Sequence, residues 1–121
     1  MKLIVAGTRD FNDYVLLAAK LDAILANTPK DQIEIVSGTS AGADKLGEQY
    51  AISNNLGLKR FPADWKKYNK KAGPIRNEEM AQYATHCVCF WDGKSKGTAN
   101  MIDLANQYNL VLRVIQYAAL T

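Results

Sequence analysis

Three short stretches carry residue types that could hold an anion. Residues 7–11 read "GTRDF", residues 37–44 read "SGTSAGAD", and residues 90–98 read "FWDGKSKGT". Each mixes glycine, which lets a backbone turn sharply or approach a ligand closely, with hydroxyl and charged side chains. Hydroxyls and unpaired amides at a helix start donate hydrogen bonds to phosphate or carboxylate oxygens. Arg9 offers a planar fork suited to bidentate contact with such a group. The plain alternative for Arg9 is a surface ion pair with Asp10 or with a helix end. Asp44 would repel phosphate and better suits ribose hydroxyls or an exocyclic amine, unless it only favours a helix dipole. Arg76 and Asn77 follow "KKAGP" at the start of a further helix. Lys66, Lys67, Lys70 and Lys71 interleave with Trp65 and Tyr68. That tract is either a solvated charged loop or a lid that stacks a base and steers an anion. Neither glycine-rich turn of the first half is a standard nucleotide loop. "GTRDF" lacks the G-x-G-x-x-G spacing, and "SGTSAGAD" lacks the lysine of a Walker-type loop.

Apolar patterning supplies the elements that must position these residues. "KLIVAG" (2–7), "IEIVSG" (33–38), "LGLKRF" (56–61), "HCVCFW" (86–91) and "LVLRVIQY" (110–117) read as five strands. Between them lie helical spacings. Tyr14, Leu17, Ala18, Leu21, Ile24 and Leu25 mark the first helix, and Ala43, Leu46, Tyr50 and Ala51 the second, with Thr39 or Ser40 as its cap. A third helix starts at Pro74, and a fourth, capped by Thr98, carries Met101, Ile102, Ala105 and Tyr108. Strand and helix in alternation predict a single α/β domain over residues 1–121, a Rossmann-like three-layer fold with a parallel sheet in the order 3-2-1-4-5. The third strand, which carries charges, belongs at an edge. Residues 62–73 are expected to be one long irregular loop. In such sheets ligands sit beyond the carboxyl ends of the strands, where all three glycine-rich stretches fall.

Composition narrows the classes. The chain has 121 residues, 48% hydrophobic and 22% charged, with a net charge of +3. That is ordinary for a globular domain, and the charge alone is too small to argue for non-specific nucleic-acid binding. No apolar run approaches the length of a membrane helix, and "KLIVAG" is too short for a secretory signal, so a cytoplasmic location without membrane association is expected. Cys87 and Cys89 read as reduced core cysteines. With one histidine, His86, no four-ligand zinc set is apparent, and neither a metal nor a cofactor is expected.

The motifs "VAGTRDF", "VSGTSAGAD", "FPADW", "AGPIRNEEM" and "FWDGKSKGT" resemble, in order and spacing, the YspA/YpsA-like (cpYpsA-related) branch of the SLOG superfamily. That superfamily also includes the DNA-processing protein DprA and the LOG phosphoribohydrolases, and small members occur in bacteria and their phages. The resemblance covers nearly the whole chain. It implies a Rossmann-like fold and a pocket for a nucleotide or nucleotide-derived ligand. By position it implies that Gly7, Thr8 and Arg9 line the first loop, Ser37, Gly38, Gly42 and Asp44 the second, and that Arg76 and Asn77 face the ligand. Gly93, Ser95, Gly97 and Thr98 would correspond to the phosphate loop of LOG enzymes. Asp92 and the lid residue Trp65 are further candidate ligand contacts. LOG enzymes place a catalytic glutamate three residues after that threonine, and here the position is Met101. A thioether is neither acid nor base, so hydrolysis would need Asp44, Asp92 or Asp64 instead, with Arg76 holding the phosphate.

Binding of a nucleoside phosphate or an ADP-ribose derivative, for sensing or sequestering, is therefore the first expectation. A nucleoside-monophosphate phosphoribohydrolase is the alternative. Single-stranded nucleic acid is a further option, opposed by the small net charge. Related LOG proteins pair through helices, so the apolar faces of the third and fourth helices are candidates for a homo-oligomer contact.

Overall fold

The computed structural model describes residues 1–117. Its five strands are β1 (Lys2–Gly7), β2 (Glu34–Ser37), β3 (Gly57–Arg60), β4 (His86–Trp91) and β5 (Val111–Gln116). All neighbours pair in parallel, in the order β3-β2-β1-β4-β5. The order is the one the alternation predicts. Helices α1 (Tyr14–Leu25), α2 (Ala43–Ser53), α4 (Ala72–Tyr83) and α5 (Lys96–Gln107) make the crossovers, with a one-turn helix α3 (Trp65–Tyr68) ahead of α4.

The period of two along a strand divides the core into two layers. Leu3, Val5, Ile35, Val88 and Phe90 face α1 and α2, where they meet Leu17, Leu21, Ala43 and Tyr50. Ile4, Ala6, Val36, Cys87 and Cys89 face the other way, onto Met80, Ala81, Met101 and Leu104 of α4 and α5. Central strands β1 and β4 are covered on both faces, which is why they read as unbroken apolar runs. The apolar faces of α4 and α5, expected as an oligomer contact, are largely occupied by this second layer. Cys87 and Cys89 are free and buried there, with their sulfurs 3.6 Å apart.

Local capping differs from the sequence reading at three places. Helix α4 begins at Ala72, two residues ahead of Pro74. Proline is tolerated there because the first-turn amides have no intrahelical partner in any case. Helix α5 begins at Lys96, and its cap is Ser95, whose hydroxyl accepts from the Thr98 amide at 3.4 Å. Helix α2 is entered through Gly42 rather than capped by Thr39 or Ser40. Residues 62–73 are also more ordered than expected. The Asp64 carboxylate accepts from the Lys67 amide at 3.1 Å and nucleates α3, and a 3-10 turn (Asn69–Lys71) joins α3 to α4. A single carboxylate cap is easily overlooked among four lysines.

Candidate functional site

The strand register brings the loops after β1, β2 and β4 to one end of the sheet, since Gly7 pairs with Phe90 and Ser37 with Arg60. The loop after β1 is pinned at both ends. The Thr8 amide donates to the Phe90 carbonyl, and the Phe11 amide closes back on the Thr8 carbonyl at 3.1 Å. Phe11 then stacks on Phe90 inside the core, at 5.0 Å between ring centroids. That anchor throws the intervening Arg9 outward. Thr8 is itself buried, and its hydroxyl accepts from the Asp92 amide at 3.2 Å. Thr8 therefore ties two loops together.

The loop after β2 is shaped by buried polar groups. Ser37 is fully buried, with its hydroxyl turned to Glu48 at 2.7 Å. The Ser40 amide donates to Asp44 Oδ2 at 3.2 Å. Gly42 sits at φ +82°, and a side chain there would collide with the Thr8 and Arg9 carbonyls, so glycine alone lets the two loops touch. Across from this loop, Arg76 and Asn77 of α4 are both buried. Arg76 Nε donates to Asn77 Oδ1 at 2.9 Å, and Nη1 donates to the Gly38 carbonyl. This leaves Nη2 without a protein partner among the described residues. A Cβ on Gly38 would lie 2.8 Å from both Arg76 Nη1 and Asp44 Oδ2. The acid and the guanidinium thus close on one glycine from two sides. They form no direct ion pair, since both salt bridges among the described residues go to Glu48.

The loop after β4 is largely satisfied by itself. Asp92 Oδ1 accepts from the Lys94 and Ser95 amides at 2.8 and 2.9 Å. Trp91 Nε1 donates to the Ser95 carbonyl, and Thr98 Oγ1 to Ser95 Oγ. In this loop the Gly93 amide, and the Lys96 and Gly97 amides at the start of α5, have no protein partner among the described residues. Asn77 Nδ2 ties this turn to α4 through the Gly97 carbonyl and Asn100.

Two cavities result. A pit of about 70 Å³ lies between Gly7, Arg9, Asp44, Arg76 and Asn77 on one side and Ser95, Gly97 and Thr98 on the other, floored by Met80 and Met101. A groove of about 640 Å³ adjoins it, walled by Gly38, Thr39, Ala41, Pro62 and Trp65. Arg9, Ser40 and Arg76 line both. Of the residues singled out in the sequence, Thr8, Ser37, Gly42, Asp92 and Gly93 line neither cavity, and Asp64 caps α3. Ser40 and Met80, by contrast, enter the site without having been picked as ligand contacts. Ser40 belongs to the hydroxyl-bearing "SGTSAGAD" stretch, and its sequence role as a helix cap gives way to a place in the cavity wall.

Electrostatics follow the geometry. Burial pushes the Asp44 carboxyl up to about 6, with Glu48 adding to the rise, while Arg76, the Ser40 amide and Arg9 oppose it. Burial lowers the Arg76 guanidinium, against the pull of Asp44. Asp92 is held below the usual carboxylate range by the two amides it caps. The pit therefore holds one acid poised near neutrality beside a desolvated cation. Such a pair can accept from a hydroxyl and donate to an anion at adjacent points.

The family model described as "YspA, cpYpsA-related SLOG family" matches residues 1–68. The Gene 61 protein of Mycobacterium phage D29 is 30% identical over 103 residues, which is 80% of this chain and 82% of that protein. Among solved structures, DNA processing protein A (DprA) from Streptococcus pneumoniae superposes with a TM-score of 0.72 at 17% identity, over 98% of this chain and 51% of that one. DprA from Helicobacter pylori, described for its single-stranded DNA binding mode, superposes with a TM-score of 0.64 at 19% identity, over 94% of this chain and 64% of that one. The chain spans between half and two thirds of those DprA chains, and at these identities the likeness establishes the fold. No helix among the described residues is long and apolar enough to cross a membrane. Taken with the loop architecture, the family match and the phage relative make this chain a member of the YspA, cpYpsA-related SLOG family.

Proposed function

We propose that this protein binds a nucleotide or nucleotide-derived ligand across the pit and the groove. The observation that carries this reading is that Arg9, Ser40 and Arg76 line both cavities, which makes them one site with two arginines at the joint. An anionic group at that joint would meet Arg9 and the free Nη2 of Arg76, an arrangement suited to phosphate. The Asp44 wall suits a sugar hydroxyl. Trp65, half exposed at the groove, offers an aromatic face to a base. Hydrolysis would rest on Asp44 alone, because Met101 is a buried thioether on the pit floor and Asp92 is engaged by its own loop. Calorimetric titration with AMP, ADP, cyclic AMP and ADP-ribose tests the reading. Saturable one-to-one binding of at least one supports it, and no heat or thermal stabilisation from any overturns it.

A second reading has one observation in its favour. Lys66, Lys67, Lys70 and Lys71 are all exposed beside the groove, and Lys94 and Lys96 are exposed on the loop after β4. A polyanion crossing this end of the sheet would meet lysines from both sides, as a single strand stacked on Trp65 would require. Binding of oligo(dT) that weakens steeply between 50 and 200 mM salt would select this reading over a mononucleotide ligand.

A further inference from the structure

Building on the nucleotide-binding reading, we propose that Ser37 and Glu48 are positioning residues. They form a buried strut that holds Thr39 in a left-handed backbone conformation and so sets the lip of the groove. Thr39 has φ 66°, while the other non-glycine residues with positive φ among the described residues are Asn55, Asn69 and Asn109. Asparagine tolerates that region, but a β-branched residue does so only where its surroundings impose it. The surroundings here are explicit. The Ser37 hydroxyl gives its one proton to Glu48 Oε2 at 2.7 Å, so the contact from the Thr39 amide at 3.0 Å must be one it accepts.

Glu48 is fixed in turn from the edge of the sheet. Arg60 Nε on β3 donates to Oε1 at 2.9 Å, and Lys45 Nζ stands 3.8 Å from Oε2. Although burial pushes the Glu48 carboxyl up, the Ser37 and Arg60 hydrogen bonds and the Lys45 charge together hold it below the usual range. The acceptor is therefore a full carboxylate, and the hydroxyl it orients is a firm support for the amide. Gly38 and Ser40 flank Thr39. One presents its carbonyl to Arg76 and the other its amide to Asp44. Rotating Thr39 to an ordinary φ would turn both groups away from the joint between pit and groove. Ser37, which lines neither the pit nor the groove, thus acts on the site through its neighbour.

The test is a rescue. Ser37→Ala should weaken the adenine nucleotide that the wild-type chain binds best by about tenfold, the equivalent of one supporting hydrogen bond. Adding Thr39→Gly, which adopts positive φ without support, should restore the affinity to within about twofold. Wild-type affinity in Ser37→Ala, or a double variant as weak as the single one, overturns the proposal. Amide hydrogen exchange on the unliganded wild-type protein gives a readout that needs neither variant nor ligand. The Thr39 amide should be protected although it lies in a surface loop, and exchange at the rate of an unstructured peptide refutes the strut. Should the wild-type chain bind no nucleotide, the functional reading fails, and the exchange rate alone decides whether the strut exists.

Discussion

The loops after β2 and β4 look alike on paper, each a glycine-rich turn with hydroxyls leading from a buried strand into a helix. Folded, they differ. In the β4 loop, Asp92 caps two amides and Ser95 a third, so most of the donors that "FWDGKSKGT" could offer an anion are engaged within the loop. In the β2 loop, α2 is entered through Gly42, and among the described residues no side chain caps it. Its carboxylate, Asp44, is buried and faces Arg76, whereas Asp92 is engaged by its own backbone. A glycine-rich turn is thus a candidate anion site only to the extent that its amides remain unpaired. Here the β2 side keeps more of that capacity, and the β4 side contributes chiefly the Lys96 and Gly97 amides.

Substitutions can break or sharpen this contrast. The largest effect is expected from Arg76→Met, which removes the guanidinium joining the two cavities. Nucleotide affinity measured by calorimetry should fall by about a hundredfold, as for loss of charged hydrogen bonds to a phosphate. A change under threefold would move the anion site away from the β2 side. Asp44→Asn comes next and is read through stability. Because the folded-state pKa of Asp44 is raised from 3.8 to about 6, its stabilising effect is complete below pH 3.8 and is lost as pH rises through 6. The cost of charging it above pH 6 is on the order of 3 kcal/mol. Urea denaturation should therefore find Asp44→Asn more stable than wild type at pH 7.5, with the difference vanishing near pH 4. A difference independent of pH would show that Asp44 is not desolvated. The smallest effect is expected from Asp92→Ala, which frees the Lys94 and Ser95 amides. It should lower the melting temperature slightly and change nucleotide affinity by no more than about twofold, since the proposed site rests mainly on the β2 side. A tenfold gain would reveal the β4 loop as the stronger anion site and reverse the comparison.

Much of the fold was legible in the chain. Continuous apolar runs at β1 and β4 marked strands covered on both faces, and charges in "LGLKRF" marked an edge. Crossovers of helical length marked the sheet as parallel, while the strand order rested on right-handed crossovers and a reversal of winding after the third strand. Helix starts were less legible, because Ser95 and Thr98, or Thr39, Ser40 and Gly42, are all acceptable caps at the level of residue type. The candidate site was legible as a rim but not as a list. Thr8 and Ser37 have the right chemistry for a ligand, yet the fold turns one toward the Asp92 amide and the other toward Glu48.

Residue order by itself determined the α/β alternation, the two apolar layers and the end of the sheet where the glycine-rich turns gather, because these follow from short-range periodicity and chain connectivity. Tertiary structure decided which donors stay free. Arg76 meets a carbonyl 38 residues away, and Asp44 becomes a desolvated acid only because α2 buries it opposite α4. Hydrogen bonding depends on separations of about 3 Å, and burial depends on what packs overhead. Neither is written in local pattern.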